Sequence, residues 1–155
     1  MRRMHDPQSV FAWHQDSGYG IYRSDAGSHT PYVTCWIALD DMTEANGTIS
    51  ILPFERAGGS TLVEHVWNES EAALVGYVGN DSGVLIEISA GSVVCFSSVA
   101  LHRSGPNTTD KVRRSYIVQY TPMPFNYSSE PDRPYETKIG QAVPFLRDGI
   151  RVDRQ

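Results

Sequence analysis

The sequence has few cysteines, no long apolar run and no excess of basic residues, and each shortage excludes a class of protein. Two cysteines in 155 residues are too few for a disulfide-rich scaffold. No apolar run approaches the length that a membrane-spanning helix requires. Lysine and arginine number 13 against 18 acidic residues, and the net charge of -5 argues against a nucleic-acid partner. We therefore expect a domain that binds neither membranes nor nucleic acid.

The two cysteines, Cys35 and Cys95, lie in apolar, strand-like stretches of the sequence. Such positions favour buried free thiols over a disulfide, and free thiols are typical of a reducing compartment. The N-terminal residues MRRMHDPQSV contain no apolar signal segment. We therefore expect a cytoplasmic protein.

The chain has the length of a single domain, residues 1–155, and its pattern is mainly β. Short runs rich in Val, Ile, Tyr, Phe and Trp alternate with clusters of Gly, Pro, Asn and Asp. These runs predict strands at about 10–14, 32–39, 48–52, 84–88, 92–96, 100–103 and 113–120. Asn46-Gly47 predicts a hairpin between two of them, and residues 67–78 are the one helical insertion. After about residue 121 an irregular, proline-rich tail is expected. The pattern predicts a sandwich or jelly roll.

A candidate metal site is formed by His14 and Asp16 in FAWHQDSGY and by His102 in SVALHRSGPN. Residues two apart on a strand point to the same side, so an extended backbone would present His14 and Asp16 together. A second histidine on a neighbouring strand would complete a 2-His-1-carboxylate set. That set is typical of non-heme Fe(II) oxygenases, which keep coordination positions open for the co-substrate and dioxygen.

An arginine accompanies this triad, because Arg113 follows His102 after a tight turn and starts the next apolar strand. An antiparallel hairpin between these two strands would bring His102 and Arg113 into one cavity. A guanidinium inside a barrel is costly without an anionic partner, and its planar fork matches a carboxylate in bidentate geometry. A metal triad with a nearby arginine therefore predicts a dicarboxylate co-substrate that bridges the two.

These motifs resemble the phytanoyl-CoA dioxygenase family of Fe(II)/2-oxoglutarate-dependent oxygenases. The similarity runs through WHQDSGY, VTCWIALDDMTEANGTISILP and GSVVCFSSVALHRSGPNTTDKVRRSYIVQY, roughly from residue 13 to residue 120. The resemblance implies a cupin-like double-stranded β-helix with Fe(II) held by His14, Asp16 and His102. It also implies 2-oxoglutarate bound by Arg113 rather than Arg114, with Ser104 and Trp36 as further contacts, and O2 as the oxidant. The intact carboxylate at Asp16 argues for hydroxylation over halogenation.

The sequence departs from the family pattern before the first motif, where members usually carry helices and a first core strand. Here His14 lies close to the first residue, so we expect an uncovered sheet edge. Either a partner, such as a second copy of the chain, covers this edge, or the chain is a fragment or a reduced variant. Three functions are compatible with this sequence. The first is a dioxygenase acting on an aliphatic C–H of a small organic substrate. The second is a catalytically silent jelly-roll module that binds a metal or ligand, and the third is a zinc hydrolase using the same triad.

Overall fold

A computed structural model describes residues 10–19, 30–122, 126–127, 138–139, 146–147 and 149–151. The described part is mainly β, as predicted. Its strands are β1 (Phe11–His14), β2 (Val33–Ala38), β3 (Ile49–Leu52), β4 (Val66–Asn68), β5 (Ala73–Val75), β6 (Val84–Leu85), β7 (Val93–Ser97), β8 (Leu101–Ser104), β9 (Ser115–Tyr120), β10 (Asn126–Tyr127), β11 (Lys138–Ile139), β12 (Leu146–Arg147) and β13 (Ile150–Arg151). The short helices are α1 (Asp16–Tyr19), α2 (Phe54–Ala57) and a 3-10 turn, Glu44–Asn46.

Two antiparallel sheets, one of four strands and one of three, form the core of the described part, and three two-stranded sheets accompany them. The four-stranded sheet has the strand order β1-β8-β3-β6 and the three-stranded sheet the order β7-β2-β9. Strands adjacent in the sequence, such as β2 and β3 or β8 and β9, lie in different sheets, so the chain crosses repeatedly between the two layers. This is the jelly-roll arrangement that the sequence predicted. Among the described residues, no helix is long and apolar enough to cross a membrane.

Side-chain alternation along β2 shows how the core forms between the sheets. Thr34, Trp36 and Ala38 are buried, whereas the residues between them are more exposed, as the two-residue period of a strand requires. Trp36 and Ala38 pack with Met42 and Ile49, the latter from the opposite sheet. A second cluster joins Trp13, Leu52 and Leu101 on the four-stranded sheet.

The predicted helix at 67–78 is wrong, because this segment forms the β4–β5 hairpin with Trp67 opposite Leu74. The Asn68 side chain accepts hydrogen bonds from the backbone N–H groups of Ser70 and Glu71, as a residue that caps the start of a helix also does. Ala72 then adopts a left-handed φ of 48°. The acidic residues that suggested a helix start therefore lie in the turn.

Two predicted hairpins are also wrong. Asn46-Gly47 ends the 3-10 turn that Thr43 caps, and it connects strands of different sheets. Gly47 has a φ of 79°, and a Cβ there would lie 2.4 Å from the Gly105 carbonyl oxygen, so close packing of two loops decides its conformation. The hairpin expected between the strand of His102 and the strand after Arg113 is also absent. These strands are β8 and β9, and they lie in different sheets.

Three further expectations have different outcomes. The two cysteines are free, but they are not both buried, since Cys95 is exposed and Cys35 is intermediate.

The outer edge of β1 is partly covered, because the Gly76 N–H donates a hydrogen bond to the Trp13 carbonyl. Most of the irregular tail from about 121 lies outside the described residues, apart from the two-residue pairs β10–β11 and β12–β13.

Candidate metal centre and its cavity

His14 and His102 are brought together by strand pairing. They are direct register partners in the antiparallel strands β1 and β8, and an irregularity in β1 between Phe11 and His14 sets this register. Partners in an antiparallel pair present their side chains on the same face. Accordingly their ring centroids lie 4.2 Å apart, and both residues are buried.

Both imidazoles are oriented by their own strands. The Nδ1–H of His14 donates to the carbonyl of Ala12 at 2.8 Å, and that of His102 donates to the carbonyl of Ala100 at 3.0 Å. A proton on Nδ1 leaves the Nε2 lone pair free for a metal. Metal-binding histidines are commonly fixed in this way, by a hydrogen bond from the second ring nitrogen.

Asp16 reaches the same place by a route that differs from the prediction. Strand β1 ends at His14, and Asp16 is the first residue of α1 rather than the next inward residue of an extended strand. The turn is fixed by two backbone hydrogen bonds, Gly18 N–H to the Gln15 carbonyl and Ser17 N–H to the Ser98 carbonyl. The Oδ1 atom of Asp16 then lies 3.4 Å from His102 Nε2 and 4.0 Å from His14 Nε2.

The second carboxylate oxygen of Asp16 is held by residues that the sequence analysis did not select. Thr34 donates its hydroxyl to Oδ2 at 2.5 Å, and the Gln119 side-chain amide donates to the same oxygen at 3.3 Å. These two bonds leave Oδ1 directed toward the histidines. The role of Thr34 could have been predicted from the two-residue period of a strand, because Thr34 is two residues before Trp36 and must share its inward face.

Gln15 and His65 support the segment that carries the ligands, and this contact was also missed. The backbone N–H of Gln15, between the two ligand residues, donates to His65 Nε2 at 2.9 Å. The Gln15 side chain is 2% exposed and bonds the carbonyls of Thr61 and Val99 and the N–H of Val63. These partners lie 46 to 84 residues away in sequence, so no local pattern could have indicated them.

The pKa values of His14 and Asp16 are both lowered, for different reasons. Burial and the neighbouring His102 lower the pKa of His14 to about 4, so this imidazole is neutral at physiological pH. Burial alone would raise the pKa of Asp16. The contact with His102 and the hydrogen bond from Thr34 outweigh burial and lower the pKa of Asp16 below its usual value. A neutral imidazole and an ionised carboxylate are the forms that bind metals.

The triad lies on the wall of a cavity of about 470 Å³ between the two sheets. All six residues predicted for the site line this cavity: His14, Asp16, Trp36, His102, Ser104 and Arg113. Apolar side chains from both sheets complete the wall, among them Phe11, Ile49, Phe96 and Ile117. The strands thus bring together one metal-binding face, one guanidinium and an apolar surround, although β8 and β9 form no hairpin.

Arg113 and Arg114 have different environments. Arg114 forms a two-fold ion pair with Asp40, with Nη2–Oδ1 and Nε–Oδ2 distances of 2.7 and 3.0 Å. Arg113 and Arg114 both line the cavity, but the buried Nε of Arg113 has no hydrogen-bond partner among the described residues. Burial lowers the pKa of Arg113. A buried guanidinium nitrogen without a partner is costly, so this position favours an anionic ligand.

Trp36 and Ser104 border the cavity from opposite sheets. Trp36 is 4% exposed and lies in β2, opposite Ile117 of β9. Ser104 is buried at the end of β8, two residues after His102, and its Oγ accepts a hydrogen bond from the Phe11 N–H at 3.1 Å. Both residues are therefore placed to contact a ligand bound beside the triad.

The residues present fit a metal ion. One ligand atom from each of His14, Asp16 and His102 lies within 4.8 Å of the other two. Ligands at about 2.1 Å from a common ion and at right angles lie roughly 3 Å apart, so small side-chain adjustments close the site. The set supplies two nitrogens and one oxygen on one side of the ion, which leaves the cavity side open.

Comparison with known proteins links this geometry to one family. The phytanoyl-CoA dioxygenase family profile matches residues 3–115. A Caenorhabditis elegans protein named "Probable phytanoyl-CoA dioxygenase" is 25% identical over 69% of this chain. An "L-proline trans-4-hydroxylase" of Streptomyces griseoviridis is 27% identical over 86% of this chain. The matched parts cover 35% and 56% of these relatives, so this chain matches only part of each.

Solved protein structures with a similar fold are also found. A crystal structure of EvdO2 from Micromonospora carbonacea superposes with a TM-score of 0.57 at 25% identity, covering 70% of this chain and 43% of EvdO2. A second EvdO2 structure, in complex with 2-oxoglutarate, gives a TM-score of 0.58 at 22% identity, covering 79% and 49%. The described sheets therefore share the fold of EvdO2, of which this chain spans less than half.

Proposed function

Because the chain belongs to the phytanoyl-CoA dioxygenase family, we propose that it is an Fe(II)/2-oxoglutarate-dependent dioxygenase. It hydroxylates an aliphatic C–H bond of a small organic substrate, with release of succinate and CO2. Fe(II) is bound by His14, Asp16 and His102. The co-substrate is bound by Arg113, with Ser104 and Trp36 as further contacts.

One observation carries the proposal: the triad and an unpaired, buried arginine Nε share one cavity. The triad alone would fit several divalent metals, since nitrogen and oxygen ligands do not determine the ion. The guanidinium alone would indicate only an anion site. Together they fit a dicarboxylate that chelates the ion at one end and pairs with Arg113 at the other.

The bound Fe(II) supplies the redox chemistry, and the side chains of this chain supply orientation. The Nδ1 hydrogen bonds of His14 and His102 keep both Nε2 atoms directed at the ion. Thr34 and Gln119 hold the far oxygen of Asp16, so the other oxygen, Oδ1, would be the one that binds the ion. Apolar side chains such as Phe96 and Ile117 line the cavity beside the triad and would pack against the aliphatic part of a bound ligand.

The relatives support hydroxylation as the outcome. One of them is named as a proline hydroxylase, and its match extends over most of this chain. An intact carboxylate at Asp16 is consistent with that chemistry, because it occupies the coordination position that a halide would need. The cavity of about 470 Å³ is of the size that binds a small organic molecule.

The test is turnover of 2-oxoglutarate. The purified chain is supplied with Fe(II), 2-oxoglutarate and air, with and without a panel of small aliphatic amino acids and carboxylic acids, and succinate is measured. We expect succinate to form with wild-type protein and to increase with a suitable substrate. Asp16→Ala should abolish it, because one metal ligand is lost.

A matched carboxylate control is Asp40→Ala, which removes an acid from the surface pair with Arg114 and should retain turnover. A folded wild-type protein that binds Fe(II) and 2-oxoglutarate but forms no succinate would contradict dioxygenase activity and favour the silent module. Ester or amide hydrolysis with bound zinc would instead favour the hydrolase.

A further inference from the structure

The two cysteines of the chain meet on the outer face of the three-stranded sheet, away from the metal centre. Cys35 of β2 and Cys95 of β7 are register partners, and their Sγ atoms lie 3.2 Å apart. They are 60 residues apart in sequence, so only the fold brings them together. Cys95 is exposed and Cys35 is partly exposed, which makes the pair accessible to reagents in solution.

The backbone geometry of this position suits a disulfide. Hydrogen bonds join Tyr32 to Ser98 and Ala38 to Ser92, and such bonded pairs recur at every second position of an antiparallel ladder. Cys35 and Cys95 therefore form a non-hydrogen-bonded pair, with Cα atoms about 4.5 Å apart and side chains in their closest approach. That separation lies within the range of about 4.4–6.8 Å that disulfides require.

We propose that Cys35 and Cys95 are a redox-active dithiol, which small-molecule disulfides such as oxidised glutathione convert into a cross-strand disulfide. One cysteine thiolate attacks the oxidant and forms a mixed disulfide, and one reduced thiol leaves. The second cysteine thiolate attacks the mixed disulfide, the Cys35–Cys95 bond forms, and a second reduced thiol leaves. Two electrons pass to the oxidant, and the two thiol protons pass to the departing thiolates through water.

The surroundings of the pair favour closure over competing outcomes. The residues beside it on this face are Val33 and Ile37 in β2 and Val118 in β9, which are uncharged and do not pair with a thiolate. The chain has only these two cysteines, so no other intramolecular bridge can compete. The bridge would join β2 to β7 beside Thr34 and Trp36, whose side chains face the metal cavity.

The experiment measures the fate of both thiols in the full chain. Reduced protein is incubated with a series of oxidised-to-reduced glutathione ratios and alkylated, and its mass and peptide map are determined. We expect both thiols to disappear together, with a peptide that links Cys35 to Cys95. In urea the same oxidant should give mainly mixed disulfides, at a ratio of bridge to mixed disulfide at least roughly tenfold lower, because the fold no longer holds the thiols together.

The single variants Cys35→Ser and Cys95→Ser are the controls, and each should stop at one mixed disulfide with glutathione. The proposal would be overturned if both wild-type thiols stayed alkylatable under oxidant, or if a stable mixed disulfide accumulated in the folded chain. A bridge between two chains would overturn it as well. None of these measurements depends on iron or on 2-oxoglutarate, so their outcome is independent of the proposed activity.

Discussion

His14 and His102 are opposite each other in β1 and β8, with ring centroids 4.2 Å apart, and each donates its Nδ1–H to the carbonyl two residues before it. The same kind of local hydrogen bond, one in each strand, therefore holds the two imidazoles in equivalent orientations. Asp16 completes the set from a different element, the first turn of α1. The positions of the three metal-binding residues thus depend on the register of β1 with β8 and on the tight turn that begins α1.

Arg113→Ala should weaken the binding of 2-oxoglutarate by roughly 10- to 100-fold and leave Fe(II) affinity nearly unchanged. A charge-assisted, bidentate pair inside a cavity is worth about 1.5–3 kcal/mol, which corresponds to that loss. Calorimetric titration of 2-oxoglutarate into protein loaded with a redox-inert divalent ion measures it.

The matched control for this prediction is Arg114→Ala, because Arg114 is already paired with Asp40 at the surface. Exposed pairs contribute about 0–1 kcal/mol, so this variant should bind 2-oxoglutarate almost as wild type does. Equal losses in the two variants would contradict the assignment of Arg113 as the anchor.

Thr34→Val should lower metal affinity by about tenfold, because Asp16 Oδ2 loses its shortest hydrogen bond and the carboxylate becomes free to rotate. At saturating metal, the affinity for 2-oxoglutarate should be unchanged. Thr48→Val is the matched control, since the buried Thr48 hydroxyl bonds the Ile86 carbonyl instead. If both variants lost metal affinity equally, general destabilisation would explain the effect and positioning by Thr34 would be wrong.

The metal-free protein should lose stability as the pH falls from 7 to 5. Below about pH 6.5 the unfolded chain binds a proton at His14, while the folded chain keeps this imidazole neutral down to about 4. The unfolded state therefore binds more protons, and the free energy of unfolding decreases by about 2 kcal/mol over this interval. Asp16 contributes nothing here, because its pKa is lowered below its usual acidic value.

Urea unfolding in the presence of a chelator, followed at several pH values, measures this dependence. In His14→Gln the loss of unfolding free energy between pH 7 and pH 5 should be smaller by about 2 kcal/mol than in the wild type. A slope identical to that of wild type would show that the buried His14 is not the origin.

Leu52→Ala should destabilise the domain by about 2–5 kcal/mol, because this side chain is fully buried against Trp13 and Leu101. The cluster lies directly behind β1 and β8, so the register of the metal-binding strands depends on it. Leu39→Ala is the control, since Leu39 is 49% exposed and should change stability by less than about 1 kcal/mol. Comparable losses in the two variants would contradict the described core.

The sequence predicted most strands because their signals are local. Alternating burial in β2 follows directly from the apolar residues at every second position. Ser104 was selected only through the family resemblance, and the structure has it at the end of β8, two residues after His102. The local pattern failed for residues 67–78, where acidic residues beside apolar ones fit either a helix start or a solvated turn. The left-handed backbone of Ala72 and the pairing of β4 with β5 decide for the turn, and they are visible only in the fold.

The site was predictable as a set of residues, and its connections were not. His14, Asp16, His102 and Arg113 were selected from motif spacing, and all four line one cavity. The pairing of β8 with β1 and β3, rather than with β9, is a long-range choice that short motifs do not encode. Contacts such as Gln119 to Asp16, 103 residues apart, follow only from that topology.

The most direct test of the central claim is the visible spectrum of the chain under strictly anaerobic conditions. Fe(II) and 2-oxoglutarate are added singly and then together, and His102→Ala serves as the variant that lacks one ligand. We predict a broad charge-transfer band that needs both components, is absent in His102→Ala and disappears when oxygen is admitted. A folded wild-type protein that gives no band with both components at saturating concentration would contradict the proposed centre.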